Sequence, residues 1–146
     1  MLTRVAGCII TDQHQKLLLL HRNKNGKIQW KTPGGKVEVG ESDKQAALRE
    51  LKEEIGVTVK IVNKIGESDF QENEKTYHYV WFAATLVAST APILLEHGFD
   101  DFGYFSVDEL HQMQSLLSAG TKKFLELSIY PTSKGICIPH LPCFGF

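Results

Sequence analysis

The chain reads as an α/β domain built on a mixed sheet with helices over both faces. Its segments run in the order strands, helix, strands, helices, which suits a mixed sheet better than a strictly alternating parallel one. Hydrophobic periodicity switches between 2 and 3.6 at recognisable turn and cap residues. The 146 residues, 42% of them hydrophobic, suffice for one domain with a real core.

Arg4 to Thr11 is an apolar run that predicts a buried strand. Asp12 to Gln15 is a polar turn, and Lys16 to His21 carries four consecutive leucines, as a strand buried on both faces would. The two strands are expected to form a hairpin. Asn23 to Lys27 is a second turn, Ile28 to Trp30 is short and apolar, and Lys31-Thr-Pro-Gly-Gly-Lys36 is a turn whose glycines let the backbone approach another group closely.

A helix is expected after Gly35. Ser42 with Gln45 forms a capping box, and Gly56 stands where a left-handed terminator is wanted. At ~100° per residue Leu48, Leu51 and Ile55 share one face, with Ala47 at its edge, and Glu50, Glu53 and Glu54 share the other. Those glutamates form like-charge pairs at i,i+3 and i,i+4, each unfavourable by roughly 0.2–0.5 kcal/mol. A well-capped helix with a self-repelling acidic face suggests a bound cation. Carboxylates without histidine or cysteine nearby favour a hard ion, Mg²⁺ or Mn²⁺.

Val57 to Ile61 alternates as a strand, Glu67 to Glu74 is a polar connection, and Lys75 to Ala88 is an aromatic-rich strand holding Tyr77, Tyr79, Trp81 and Phe82. Half of those aromatics are expected to face the core. Ser89 to Asp101 is a loop and Phe102 to Phe105 a short strand. Ser106 with Glu109 caps a helix whose apolar face is Leu110, Met113, Leu116 and Leu117. Gly120 is expected to break it before a last helix, Thr121 to Ser128, with Phe124 and Leu125 inward. The tail, 129–146, is not a separate domain, and its role stays open between packing on residues 1–128, a dimer contact and partial disorder. The protein is expected as a monomer or homodimer.

Sixteen basic and seventeen acidic residues give a net charge of −1, which argues against nucleic-acid or membrane affinity. No run is long and apolar enough for a membrane span or signal peptide. Three cysteines, Cys8, Cys137 and Cys143, fit a reducing cytoplasm better than a disulfide framework. Cys137, His140 and Cys143 match no standard zinc spacing.

Residues 35 to 57 resemble the signature of the Nudix hydrolase family without a gap. The matching positions are Gly35, Glu41, Arg49, Glu50, Leu51, Glu53, Glu54, Gly56 and Val57. The resemblance implies an α/β/α sandwich with this stretch as a loop–helix–loop. It implies metal-dependent hydrolysis of a nucleoside diphosphate linked to another group, most simply a MutT-like cleavage of a nucleoside triphosphate to monophosphate and pyrophosphate. Alternatives are ADP-ribose, nucleotide-sugar or dinucleoside polyphosphate hydrolysis, and, in another class, a nucleotide-binding regulator without catalysis.

Carried over position by position, Glu50, Glu53 and Glu54 would be metal ligands together with the Gly35 carbonyl. Glu53 would be the general base, with a base from outside residues 35–57 as the alternative. Arg49 would orient the glutamates, and Glu41 would be structural and electrostatic at the helix N-terminus, with metal ligation as its lesser alternative. A distal-loop carboxylate, Glu96, Asp100 or Asp101, is expected to join the site or read the base. Arg22, Lys31 and Lys36 are candidates for phosphate contact, and Tyr79 for contact with the base.

Overall fold

The computed structural model describes residues 2–87, 91–128, 130–132 and 135–137. Two sheets form the centre. In the first, β4 (Gly34–Lys36), β1 (Leu2–Ile10), β6 (Lys75–Leu86) and β5 (Val59–Glu72) lie side by side in that order. β1 runs parallel to β6, and the other pairings are antiparallel. In the second, β2 (Leu17–Lys24) lies between β3 (Lys27–Lys31) and β7 (Phe99–Phe105), antiparallel to both.

The expected hairpin of the first two strands is not formed. β1 and β2 belong to different sheets and form no ladder with each other, although the residue after β1, Thr11, makes an isolated antiparallel bridge with Leu17. Leu17 to Leu20 are at most 1% exposed, so β2 needs partners on both edges and cover on both faces. It finds its partners in β3 and β7. Asn25 and Gly26, both at positive φ, make the two-residue turn from β2 into β3.

The acidic-box helix is α1 (Asp43–Ile55). Ser42 Oγ accepts from the Gln45 N–H at 3.1 Å and Gln45 Oε1 accepts from the Ser42 N–H at 2.9 Å. Gly56 ends the helix at φ 68°, where a side chain would be strained. The buried face differs from the expected one. Ala46, Ala47, Leu51, Glu54 and Ile55 face the sheet, whereas Leu48 is 37% exposed. The inward direction runs between Ala47, Leu51 and Glu54, which turns Leu48 to the flank. Together with Cys8, Leu18, Leu20, Val80 and Phe82, this face makes one core.

The second core lies on the opposite side of the sheets, under α2 (Val107–Gln112) and α3 (Ala119–Ser128). Ile9, Leu17, Leu19, Trp81, Leu110, Phe124 and Leu125 fill it. The result is the expected α/β/α sandwich. The capping box of Ser106 and Glu109 is present, but α2 stops at Gln112 and gives way to a short 3₁₀ turn, Gln114–Leu116. Leu116 is consequently 51% exposed while Leu110 and Leu117 are buried. Gly120 breaks nothing. It sits in the first turn of α3, where Ser118 Oγ accepts the Thr121 N–H, and packs against the Tyr79 ring.

The polar stretch 67–72 is not a connection but the far end of β5, paired with β6 up to a turn at Asn73 and Glu74, both at positive φ. Its residues alternate between exposed and half-buried, as an edge strand tolerates. β7 likewise starts three residues before the expected point, at Phe99. In the tail, Tyr130–Thr132 (β8) pairs antiparallel with Gly135–Cys137 (β9). The Cys137 side chain, His140 and Cys143 lie outside the described residues. Among the described residues no helix is long and apolar enough to cross a membrane.

Candidate active site

Three carboxylates converge at the outer face of α1. Glu50, Glu53 and Glu96 each offer an oxygen, and these oxygens lie within 4.8 Å of one another. Glu50 and Glu53 come from successive turns of α1. Glu96 arrives on the loop before β7, which is tied down where the Ile93 and Leu95 N–H groups donate to the Ile55 and Glu54 carbonyls. These bonds also satisfy two orphan carbonyls of the last helical turn.

Arg49 organises the acids. Its Nε and Nη2 donate to both oxygens of Glu41 at 2.7 and 3.0 Å. Its Nη1 donates to Glu50 at 3.0 Å and to Glu53 at 3.2 Å, and Nη2 also reaches the Lys36 carbonyl at 2.9 Å. The guanidinium thereby ties the loop before α1 to the acidic face and offsets the Glu50–Glu53 repulsion. The same bonds hold the Glu41 carboxyl below the usual carboxylate range and raise the Arg49 pKa. For Glu50, burial dominates and raises its pKa despite Arg49.

Glu54 is turned inward, away from Glu53. It is 1% exposed, its Oε1 accepts the Gly34 N–H at 3.0 Å, and its Oε2 lies 3.6 Å from Lys31 Nζ. Burial pushes its pKa up to about 7, with Lys31 opposing the shift. It is not one of the three converging carboxylates. Lys31 also donates to the Gly34 carbonyl at 2.9 Å, so it fixes the glycine turn from beneath.

Gly35 meets Glu50 directly. A Cβ on Gly35 would stand 2.3 Å from Glu50 Cδ, so only glycine lets this strand lie against the carboxylate. The donor set suits the implied hard cation, being three carboxylates with no nitrogen or sulfur ligand, one of which, Glu50, lies against Gly35.

A cavity of about 210 Å³ opens beside this turn. Lys31, Gly34, Gly35 and Lys36 line its inner end, and Phe70 and Tyr77 one wall. Arg22 lines it too, with its guanidinium 5.5 Å from the centre of the Phe99 ring. Tyr79 contributes to the wall but is only 5% exposed and stacks on Trp81 at 4.5 Å. Its ring is thus mainly core.

Asp100 and Asp101 go elsewhere. Asp100 is held by His21 Nδ1 at 2.6 Å and Asn23 Nδ2 at 3.1 Å, which keep its carboxyl below the usual range. Asp101 accepts the Phe102 N–H at 2.8 Å. Neither belongs to the glutamate group. Of the three distal-loop acids considered from sequence, the one brought to α1 is Glu96. Lys31 is missed as the partner of Glu54, because a lysine two residues before a proline carries no signal of what it lies under.

The family model described as NUDIX domain matches residues 1–127. An 8-oxo-dGTP diphosphatase of Proteus vulgaris is 40% identical over 57 residues, 38% of this chain and 51% of that protein. The chain spans about half the length, or less, of the first curated relatives it matches. Among solved structures, a NUDIX hydrolase from Nitrosomonas europaea superimposes with TM-score 0.76 at 25% identity, covering 86% of this chain and 87% of that one. A MutT protein from Methanosarcina mazei Go1 does so with TM-score 0.74 at 27% identity, covering 86% and 91%. With the family model spanning most of its length and the acidic helix, glycine turn and sandwich all in place, the chain belongs to the NUDIX domain family.

Proposed function

We propose that this protein hydrolyses the phosphoanhydride of a nucleotide, cutting a nucleoside triphosphate to a monophosphate and pyrophosphate. The observation that carries the reading is the convergence of Glu50, Glu53 and Glu96 next to the cationic cavity at Gly34–Gly35. The acids alone would repel a triphosphate. Acids beside cations make sense when a divalent ion mediates between carboxylates and phosphates.

Glu50, Glu53 and Glu96 would hold Mg²⁺ or Mn²⁺, with the Gly35 carbonyl and Glu54 as further candidates from the family resemblance. The ion would neutralise phosphate charge and lower the pKa of a water. The remaining work falls to the chain. Lys36 and Arg22 offset phosphate charge along the cavity. Arg49 keeps Glu50 and Glu53 aimed at one point. Glu53, about half exposed, takes the proton as water attacks phosphorus and the anhydride P–O bond breaks, releasing pyrophosphate.

The relatives' names support nucleotide hydrolysis and do not fix the substrate of this chain. Purified protein with Mg²⁺ and a panel of nucleoside triphosphates, ADP-ribose, nucleotide sugars and dinucleoside polyphosphates tests the reading. Monophosphate and pyrophosphate should appear from triphosphates. Tight nucleotide binding without turnover of any panel member would make the protein a binding regulator instead.

A further inference from the structure

The cavity has two chemically different ends. At the inner end Gly35 lies against the Glu50 carboxylate, and the Gly34 N–H donates to Glu54. At the outer end the tips of two hairpins from different sheets meet. Lys27 opens β3 directly after the Asn25–Gly26 turn, and Glu72 closes β5 directly before the Asn73–Glu74 turn. Lys27 Nζ stands 3.8 Å from Glu72 Oε1, and both residues line the cavity. Lys31 lies four residue steps along β3 from Lys27, so the ends are about 13 Å apart at ~3.3 Å per residue. That span suits a nucleoside with its phosphates at the glycines and its base edge at the hairpin tips. Between the ends Phe70 and Tyr77 stack on each other at 5.4 Å and 17°, giving an aromatic wall for a base.

We propose that Glu72, with Lys27 beside it, is the base-reading pair of this cavity and selects guanine. The inference rests on the hydrolysis of nucleoside triphosphates proposed above. A carboxylate is acceptor-only and offers two oxygens. Guanine alone among the common bases presents two adjacent N–H donors on one edge, N1–H and the N2 amino group, with the O6 acceptor next to them. Both Glu72 oxygens are satisfied by those donors, and the Lys27 ammonium takes O6. Adenine and cytosine each set a ring-nitrogen lone pair beside their amino group, which would face a carboxylate oxygen. Uracil and thymine offer one N–H between two carbonyls. At 3.8 Å the Lys27–Glu72 contact is longer than a hydrogen bond, and the side chains are 43% and 30% exposed, so the pair opens to a base at little cost.

The test compares kcat/KM for guanosine, inosine and adenosine triphosphates with Mg²⁺. Inosine keeps N1–H and O6 but lacks the N2 amino group, so the order should be guanosine, inosine, adenosine. Guanosine should lead adenosine by at least about tenfold, the discrimination of one good bidentate contact. Glu72→Gln should bring that ratio close to one, and Lys27→Met should reduce it. Glu74→Gln, on the same turn but not lining the cavity, should keep the wild-type ratio. Equal kcat/KM for guanosine and adenosine substrates, or an unchanged ratio in Glu72→Gln, would overturn the base assignment while leaving the hydrolysis intact. If no triphosphate is turned over, the proposed reaction fails instead. The dissociation constants of guanosine and adenosine monophosphates, in wild type and Glu72→Gln, then decide the base assignment by the same ratios.

Discussion

Arg49 reaches back eight residues to grip both oxygens of Glu41, at 2.7 and 3.0 Å, while its third nitrogen holds Glu50 and Glu53. Glu41 is therefore the anchor for the residue that steers the acids. Its folded pKa is depressed, chiefly by Arg49, so its stabilising contribution is present above the unfolded glutamate range and is lost as pH falls through the lower folded value. Melting temperatures followed from pH 6 down to 3 should fall less steeply for Glu41→Gln than for wild type. Identical slopes would show that the pair contributes nothing to acid sensitivity.

Gly35→Ala should cost activity more than stability. The new Cβ would collide with the Glu50 carboxyl at 2.3 Å, and the carboxylate or the strand must move. A misplacement of about 1 Å at a reacting centre costs on the order of 10²-fold in rate. A kcat within twofold of wild type would mean that Glu50 can swing aside without consequence.

Glu53→Gln is isosteric and lies on the outer face of α1, so the helix should survive. Loss of the proton acceptor should lower kcat by about 10²–10⁴-fold with an unchanged circular dichroism spectrum. Activity at the wild-type level would remove Glu53 from the role assigned to it.

Divalent cation should raise the melting temperature. Binding to the folded state alone adds about 2.7 kcal/mol at a metal concentration one hundred times Kd. Mg²⁺ titration in a thermal melt should show this, and Glu50→Gln should blunt it. Chelation should return the wild-type melting temperature to the metal-free value. A melting temperature indifferent to Mg²⁺ would argue against a cation at the converging carboxylates.

The helix at the centre of the site was legible because its signals are local. A capping box and a terminal glycine act within four residues, and the structure keeps both. What escaped the sequence depended on distant partners. Glu54 looks like Glu53 in a helical wheel, yet Gly34 and Lys31 draw it inward and Leu48 is displaced to the flank. Leu17 to Leu20 announced burial but not which strands would do the burying, and so the hairpin with β1 was expected in error. The end of β5 read as a connection because an edge strand has no need of an apolar face. Glu96, Asp100 and Asp101 were indistinguishable as loop acids. The backbone bonds from residues 93 and 95 to the end of α1 separate Glu96 from the other two.

The parallel pairing of β1 with β6 sets an order on assembly. Gly34 and Gly35 find their backbone partners on β1, and β1 is held on its other edge by residues 76 to 84. During synthesis the acidic helix is complete some thirty residues before that far edge exists. Local contacts form quickly and such distant pairings late. The helix can therefore coil early, but the glycine strand that meets Glu50 settles only once β6 has been made. The chain thus withholds a working arrangement of its acids until most of the domain is present.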